Sequence, residues 1–407
     1  MKTSIRLEKG SNIKVPRLYT STIPNEDRVL FLGNISFKHS IHGQRIDKSF
    51  QKFVLKHGIN FFFQKVKGLL VNVDTVVANL ETPIMKNKPV VGISTFPSDK
   101  QKAPQYLSNG TSILESLKEH NIFAVSLANN HLSEYGQNSL NETISMLKMS
   151  GIRYFGANIN ARRARTPLMK RVFIGNRNLK LVIISAYEDR TDNEVDLAIY
   201  ANKDRSGVNR LSINKIKEKI QSLRKSSLDD EIFVVAYPHW GGRRNYGWKT
   251  KSQKKIGQRL IEAGADIVIG QGPRNLQEID IHQGHPILYS IGNFISDALG
   301  KYHEYNAFPF SLAVELNFRI ADKNAQRTCD YHQQVTGSFE AIEKFIKLYP
   351  ILTDNRTTNF QTRLVNETEF GMVYKVLIDN NSTFKSGSVQ VTSGIDKIGH
   401  YIELPLK

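Results

Sequence analysis

A carboxylate, several amides and two imidazoles stand directly behind short apolar runs of this chain. Asn34 follows RVLFLG, Asn79 and Glu81 follow TVVA, Asn130 and His131 follow FAVSLAN, and His239 follows IFVVAYP. A further polar group, Gly270-Gln271-Gly272-Pro273-Arg274, follows DIVI. Glutamate brings charge, asparagine a carbonyl oxygen and neutral histidine a nitrogen, a donor set suited to a hard or borderline divalent metal. Such a metal polarises a phosphoryl or carbonyl oxygen and lowers the pKa of bound water. Each residue alone also has a plainer role. A histidine after a strand often makes only a structural hydrogen bond. An Asn-Asn pair often turns the chain or caps a helix, and Glu81 before Thr82-Pro83 can simply end a strand. Recurrence at several strand ends is what favours one shared site.

The runs that carry these residues are short, β-branched and continuous, as central strands buried on both faces are. Further runs of the same kind span Leu179 to Ala186 and Pro286 to Ile291. Helical patterns lie between several of them: Ser112 to His120, Asn138 to Ser150, Ile213 to Leu223 and Lys254 to Ala263. Alternating strands and helices predict a layered α/β domain, and open α/β sheets hold ligands outside the carboxyl ends of their strands. The alternation LQEIDIH, the turn at Gln283-Gly284 and the strand after it predict a hairpin. Another strand fits Phe310 to Phe318, so the sheets are mixed. Beyond Ala321 we expect a small appended α/β unit over residues 321–407, with a helix over Phe339 to Leu348, strands over Gly371 to Ile378 and His400 to Leu406, and a loop over Asp379 to Ser388.

The 407 residues are 40% hydrophobic and 23% charged, ordinary globular composition. The net charge of +18 and a pI near 9.7 predict an acidic partner: nucleic acid, anionic lipid, phosphate ester or polycarboxylate. The charge is dispersed in short clusters with no nucleic-acid motif beside them, so DNA is not the expected ligand. There is no run of 18 apolar residues, no apolar core to a leader in Met1 to Thr20, and a single cysteine, Cys329. The expectation is a cytoplasmic protein without a membrane anchor.

NLETP (Asn79 to Pro83), SLANNHLSEYG (Ser126 to Gly136), HWG (His239 to Gly241) and GADIVIGQGPRNLQEIDIHQGHPILYSIGNF (Gly264 to Phe294) resemble, in order, the signature of the CapA family of poly-γ-glutamate capsule synthesis proteins. The resemblance covers roughly residues 27–300. It implies a calcineurin-like metallophosphatase fold, a four-layer α/β/β/α sandwich with mixed sheets, over residues 27–320. By motif position it implies Glu81, Asn130 and His239 as metal ligands, with Asn34 where the family has an aspartate. It also implies His131 as general acid or base, oriented by Glu134 where the family usually has aspartate. Asn79 and Asn293 fall in the motifs as substrate-contacting positions.

Gly272-Pro273-Arg274 stands where the family usually shows His-Pro-His, and Gly242-Arg243-Arg244 where a glutamate often follows HWG. One half of a two-metal site has thereby lost charge and imidazole. The expectation becomes a single divalent metal (Mn, Zn or Fe), with a two-metal site disfavoured. Arg274, a fixed cation with a bidentate fork, is expected beside Glu81 as a metal substitute or as a clamp for a substrate anion. Arg243 and Arg244 would form a basic rim. The leading reading is a metal-dependent hydrolase or transferase acting on an anionic phosphoester or glutamate-type amide, with a biosynthetic ligase as partner. The alternatives are a catalytically degenerate protein that binds polyglutamate and, from charge alone, a nucleic-acid binder.

Overall fold

A computed structural model describes residues 25–37, 48–86, 110–133, 136–189, 199–227, 231–241, 246–321, 341–379 and 381–407. Its strands in chain order are β1 (Glu26–Ile35), β2 (Thr75–Leu80), β3 (Ile122–Ser126), β4 (Arg153–Phe155), β5 (Ala157–Asn158) and β6 (Leu168–Ile174). Then come β7 (Arg177–Tyr187), β8 (Gly207–Val208), β9 (Glu231–His239), β10 (Ile267–Ile269), β11 (Ile279–His282) and β12 (His285–Leu288). The remainder are β13 (Asn293–Ile295), β14 (Phe310–Ile320), β15 (Ile342–Leu352), β16 (Arg363–Leu364), β17 (Thr392–Ile395) and β18 (His400–Pro405).

The first sheet runs β17-β18-β15-β14-β1-β2-β3-β4, with β13 beside β1 and β16 beside β15. The second runs β11-β12-β10-β9-β7-β6. In the first, β1 to β4 and β13 are parallel, while β14 onward is antiparallel. Successive side chains of a strand face opposite sides of its sheet, and each sheet uses both sides. Leu30 and Val76 face a layer with Phe63, Leu117 and Leu140 from the helical segments 59–66, 110–119 and 136–150. Their neighbours Phe31 and Val77 face the second sheet, meeting Phe233 and Val235. Val234, one residue from each of these, faces outward onto Ile216, Ile220 and Leu260 of helices Ile213–Ser226 and Lys251–Glu262. The layers are therefore helix, sheet, sheet, helix, with an apolar core at each junction. Burying each such side chain contributes about 1.5–3 kcal/mol before chain entropy is charged against it.

The hairpin forms as expected: β11 and β12 pair antiparallel, and Gln283 and Gly284 both take positive φ, the backbone of a type I′ turn. The C-terminal region differs from its sequence expectation. Ile342–Leu352 is a strand and not a helix, paired with β14 residue for residue along its whole length. The segment read as a strand over Gly371 to Ile378 is helical: Glu367–Tyr374 is an α-helix, followed by a π turn over Lys375–Asp379. Ser382–Lys385, read as loop, is a single helical turn. Through β15, β16, β17 and β18 the region expected as an appended unit contributes strands to the first sheet. No helix among the described residues is long and apolar enough to cross a membrane.

Candidate functional site

The parallel strands β13, β1 and β2 set Asn293, Asn34 and Asn79 in register side by side at one end of the first sheet. All three are buried. Gly33 permits the approach: a Cβ there would overlap the carbonyl of Gly292, next to Asn293. Glu81 follows β2, its amide N–H donating to the Ile35 carbonyl at 2.9 Å. From the second sheet, His239 ends β9 and sits in register with Gln271. The strand ends of both sheets thus meet at one place.

The asparagines form an oriented relay. The Nδ2 of Asn129 donates to the Leu80 carbonyl at 2.8 Å and to Oδ1 of Asn79 at 3.2 Å. Its Oδ1 accepts from the His131 backbone N–H at 3.0 Å. Two backbone partners therefore settle which end of the Asn129 amide is nitrogen. Asn79 must turn its oxygen to Asn129, which leaves its Nδ2 to donate to Oδ1 of Asn34 at 2.9 Å and to Nδ1 of His239 at 3.3 Å. Asn34 in turn directs its Nδ2 to Oδ1 of Asn293 at 3.2 Å and toward the Gly272 carbonyl at 3.5 Å. Nδ1 of His239 is thereby an acceptor, and the proton of the neutral ring sits on Nε2. That nitrogen faces Oε1 of Glu81 across 3.6 Å, with both side chains buried.

Arg274 is partly buried. Its own carbonyl accepts from the Asn293 N–H at 3.1 Å and the Tyr302 hydroxyl at 2.8 Å, which anchors the residue. Its guanidinium is 5.9 Å from the ring centre of Tyr246. Burial works against the Arg274 charge, but Tyr246, Glu81 and Asp297 outweigh it and hold the guanidinium above its ordinary range. Burial likewise pushes the Tyr246 hydroxyl up to about 12, against the pull of Arg274.

Asn34, Asn79, Glu81, His239 and Asn293 are thus brought together, with Arg274 electrostatically tied to Glu81. Asn130 and His131 are half-buried at the edge, Nδ2 of Asn130 lying 3.2 Å from Nε2 of His131, and they join the relay through Asn129. Glu134, Arg243 and Arg244 lie outside the described residues. The central amide is that of Asn129, which sequence reasoning passed over for its neighbour. Gln271, in the polar group after DIVI but given no role there, is fully buried beside His239, with neither amide atom hydrogen-bonded. Its place after DIVI was the one signal available.

A single metal on Glu81, Asn130 and His239 does not fit this donor set. A histidine that ligates through Nε2 gives its Nδ1–H to an acceptor, whereas here a pinned amide donor faces Nδ1. Among the described residues no group of three or more His, Cys, Asp or Glu side chains converges. Nor does the backbone leave room for a histidine at Gly272, where φ is +112° and a Cβ would overlap the Trp240 carbonyl.

Residues 28–298 match the family model described as "Bacterial capsule synthesis protein PGA_cap". Among similar proteins, "Capsule biosynthesis protein CapA" of Bacillus anthracis is 28% identical over 265 residues, covering 62% of this chain and 60% of that protein. "PGA biosynthesis protein CapA" of Bacillus subtilis is 24% identical, covering 62% of this chain and 63% of that one. "Probable polyglutamine synthesis accessory protein Rv0574c" of Mycobacterium tuberculosis is 28% identical, covering 56% and 57%. The chain thus spans less than two thirds of each relative's length.

Proposed function

The chain belongs to the bacterial capsule synthesis protein family PGA_cap, and we propose that it is an accessory protein in the synthesis of a polyglutamate-type polymer. In this reading the strand-end site takes a carboxylate-bearing chain and cleaves or transfers one of its amide bonds, in partnership with a biosynthetic ligase. The observation that carries it is a single one: the buried carboxylate of Glu81 faces the buried imidazole of His239 across 3.6 Å at the joined strand ends.

The roles follow from the chemistry of each group. Arg274 receives a carboxylate of the substrate through its planar fork. Glu81 takes a proton from water as the water oxygen bonds to the amide carbon. His239 keeps its proton and offers Nε2–H to the carbonyl oxygen as negative charge gathers there. When the carbon–nitrogen bond breaks, His131, entering the cycle as imidazolium, gives its proton to the departing amine, and the proton Glu81 took from water passes through solvent to restore His131. No step calls on a metal.

Incubation with a γ-linked glutamate oligomer, read by mass, tests the reading. The expected result is shortened chains, with Arg274→Ala raising KM about tenfold, the worth of one charge-assisted hydrogen bond, and His239→Ala lowering kcat. A binding role without chemistry is the second reading, favoured by the burial of His239 between the Asn79 amide at 3.3 Å and the Glu81 carboxylate at 3.6 Å. Oligomer that binds and returns at full length selects it.

A further inference from the structure

We infer that a basic groove beside the second sheet, separate from the strand-end site, holds the body of a polycarboxylate chain whose reacting end lies at that site. The inference rests on the functional reading above.

Two cavities of about 370 and 390 Å³ adjoin and share Arg165, Asn209 and Arg210. Arg162, Lys215 and Lys219 line the first, and Lys203 and Arg205 the second. Among the described residues, one lining carboxylate, Glu218, stands against these seven cations. Arg162, Arg165, Arg210 and Lys215 are exposed. A single small anion needs one such fork, whereas cations spread along two joined cavities suit a ligand with repeating negative charge. The ion pairs already present, Lys215–Glu218 at 2.9 Å and Arg210–Asp189 at 2.7 Å, are solvent-exposed and therefore weak enough to exchange for a ligand carboxylate.

Two packed tyrosines separate the groove from the site. Tyr200 lines the second cavity, and its hydroxyl donates to the Glu188 carbonyl. Its ring stacks on Tyr187 at 5.8 Å, and Tyr187 lies 5.6 Å from His239. Glu188 closes the connection: its N–H donates to the His239 carbonyl at 2.8 Å, and its carboxylate accepts from the Gly241 N–H at 3.0 Å.

The same residues select against nucleic acid. Single strands bind by stacking bases on open aromatic faces. Tyr200, the aromatic residue among the described lining residues, is buried, stacked on Tyr187 and covered by Arg210 at 5.5 Å. A flexible chain of carboxylates needs no such face.

The test compares binding of a long γ-linked glutamate oligomer, the γ-linked dipeptide and oligothymidine at one salt concentration. The double variant Arg162→Glu/Arg165→Glu is set against the remote, exposed control pair Lys118→Glu/Lys148→Glu, which makes the same change in net charge. We expect the groove variant to weaken the long oligomer about tenfold or more, through loss of the local field, and to leave the dipeptide unchanged, with the control pair close to wild type. Equal loss in both double variants, no loss in the groove variant, or oligothymidine binding as tightly as the oligomer would overturn the inference. Arg274→Ala separates the two ideas. Loss there with an unaffected groove variant removes the groove and keeps the site, and the converse removes the site and keeps the groove.

Discussion

At the scale of single residues, the site is governed by which way its amides point. Leu80 and the His131 N–H orient Asn129, Asn129 orients Asn79, and Asn79 selects the tautomer of His239. Nitrogen-15 spectra of the wild type are expected to show a protonated Nε2 and a bare Nδ1 at His239; the reverse pattern would dismantle the relay. Asn79→Asp replaces the donor facing Nδ1 with an acceptor, so the proton should move to Nδ1 in the same spectra. These residues also show what could be read from sequence. Glu81 and His239 stood out because charge and imidazole behind buried strands are rare. Asn129 did not, because two adjacent asparagines look alike until register decides that one faces Asn79 and the other His131. Arg274 stood out in the sequence as a cation in a ligand's place, whereas its neighbours Tyr246 and Tyr302 come from segments with no pattern in common.

At the scale of elements, the site depends on the strands that bring its members into register. A methyl group on Gly33 would push β1 from the chain before β13. Gly33→Ala should therefore cost about 2 kcal/mol in denaturant unfolding and disturb Asn34. Further along the same sheet, Glu315 of β14 is buried opposite Lys347 of β15. Burial raises its carboxyl to about 7, against the pull of Arg28 and Lys347 and with help from Asp396. The unfolded carboxyl ionises first as pH rises, so stability from this group is complete at low pH and is lost as pH climbs through about 7. The loss is about 3 kcal/mol. Glu315→Gln should remove it, giving a melting temperature equal to wild type at pH ~4, below the unfolded carboxyl's range, and higher at pH ~8; parallel pH profiles for the two proteins would contradict this. The central strands were legible because each is a continuous apolar run. β15 was not: the segment IEKFIKLYPIL satisfies either period, and only pairing with β14 decides it. The helix over Glu367–Tyr374 carries a signal in its sequence that the strand reading did not use, the capping box of Asn366 and Glu369.

At the scale of the whole molecule, stacking two sheets between helices places two sets of strand ends together, and the surplus positive charge is the other global feature. Part of that charge is gathered in the groove by Arg165 and Arg210, beside the tyrosines that reach His239. Affinity for a γ-linked glutamate oligomer should therefore fall steadily as salt rises, since exposed charges are screened over a few ångströms in concentrated salt; salt-independent affinity would show that the charge is uninvolved. Composition raises the expectation of an acidic partner, but the clusters along the chain could not say which cations share a face, because Arg162 and Lys215 come to line one cavity only after folding. The central claim is that the strand-end site receives a substrate carboxylate at Arg274. Calorimetric titration of the γ-linked glutamate dipeptide into wild type and Arg274→Ala tests it most directly. The account predicts saturable binding to the wild type, weakened about tenfold in the variant; equal affinity for both proteins would contradict it.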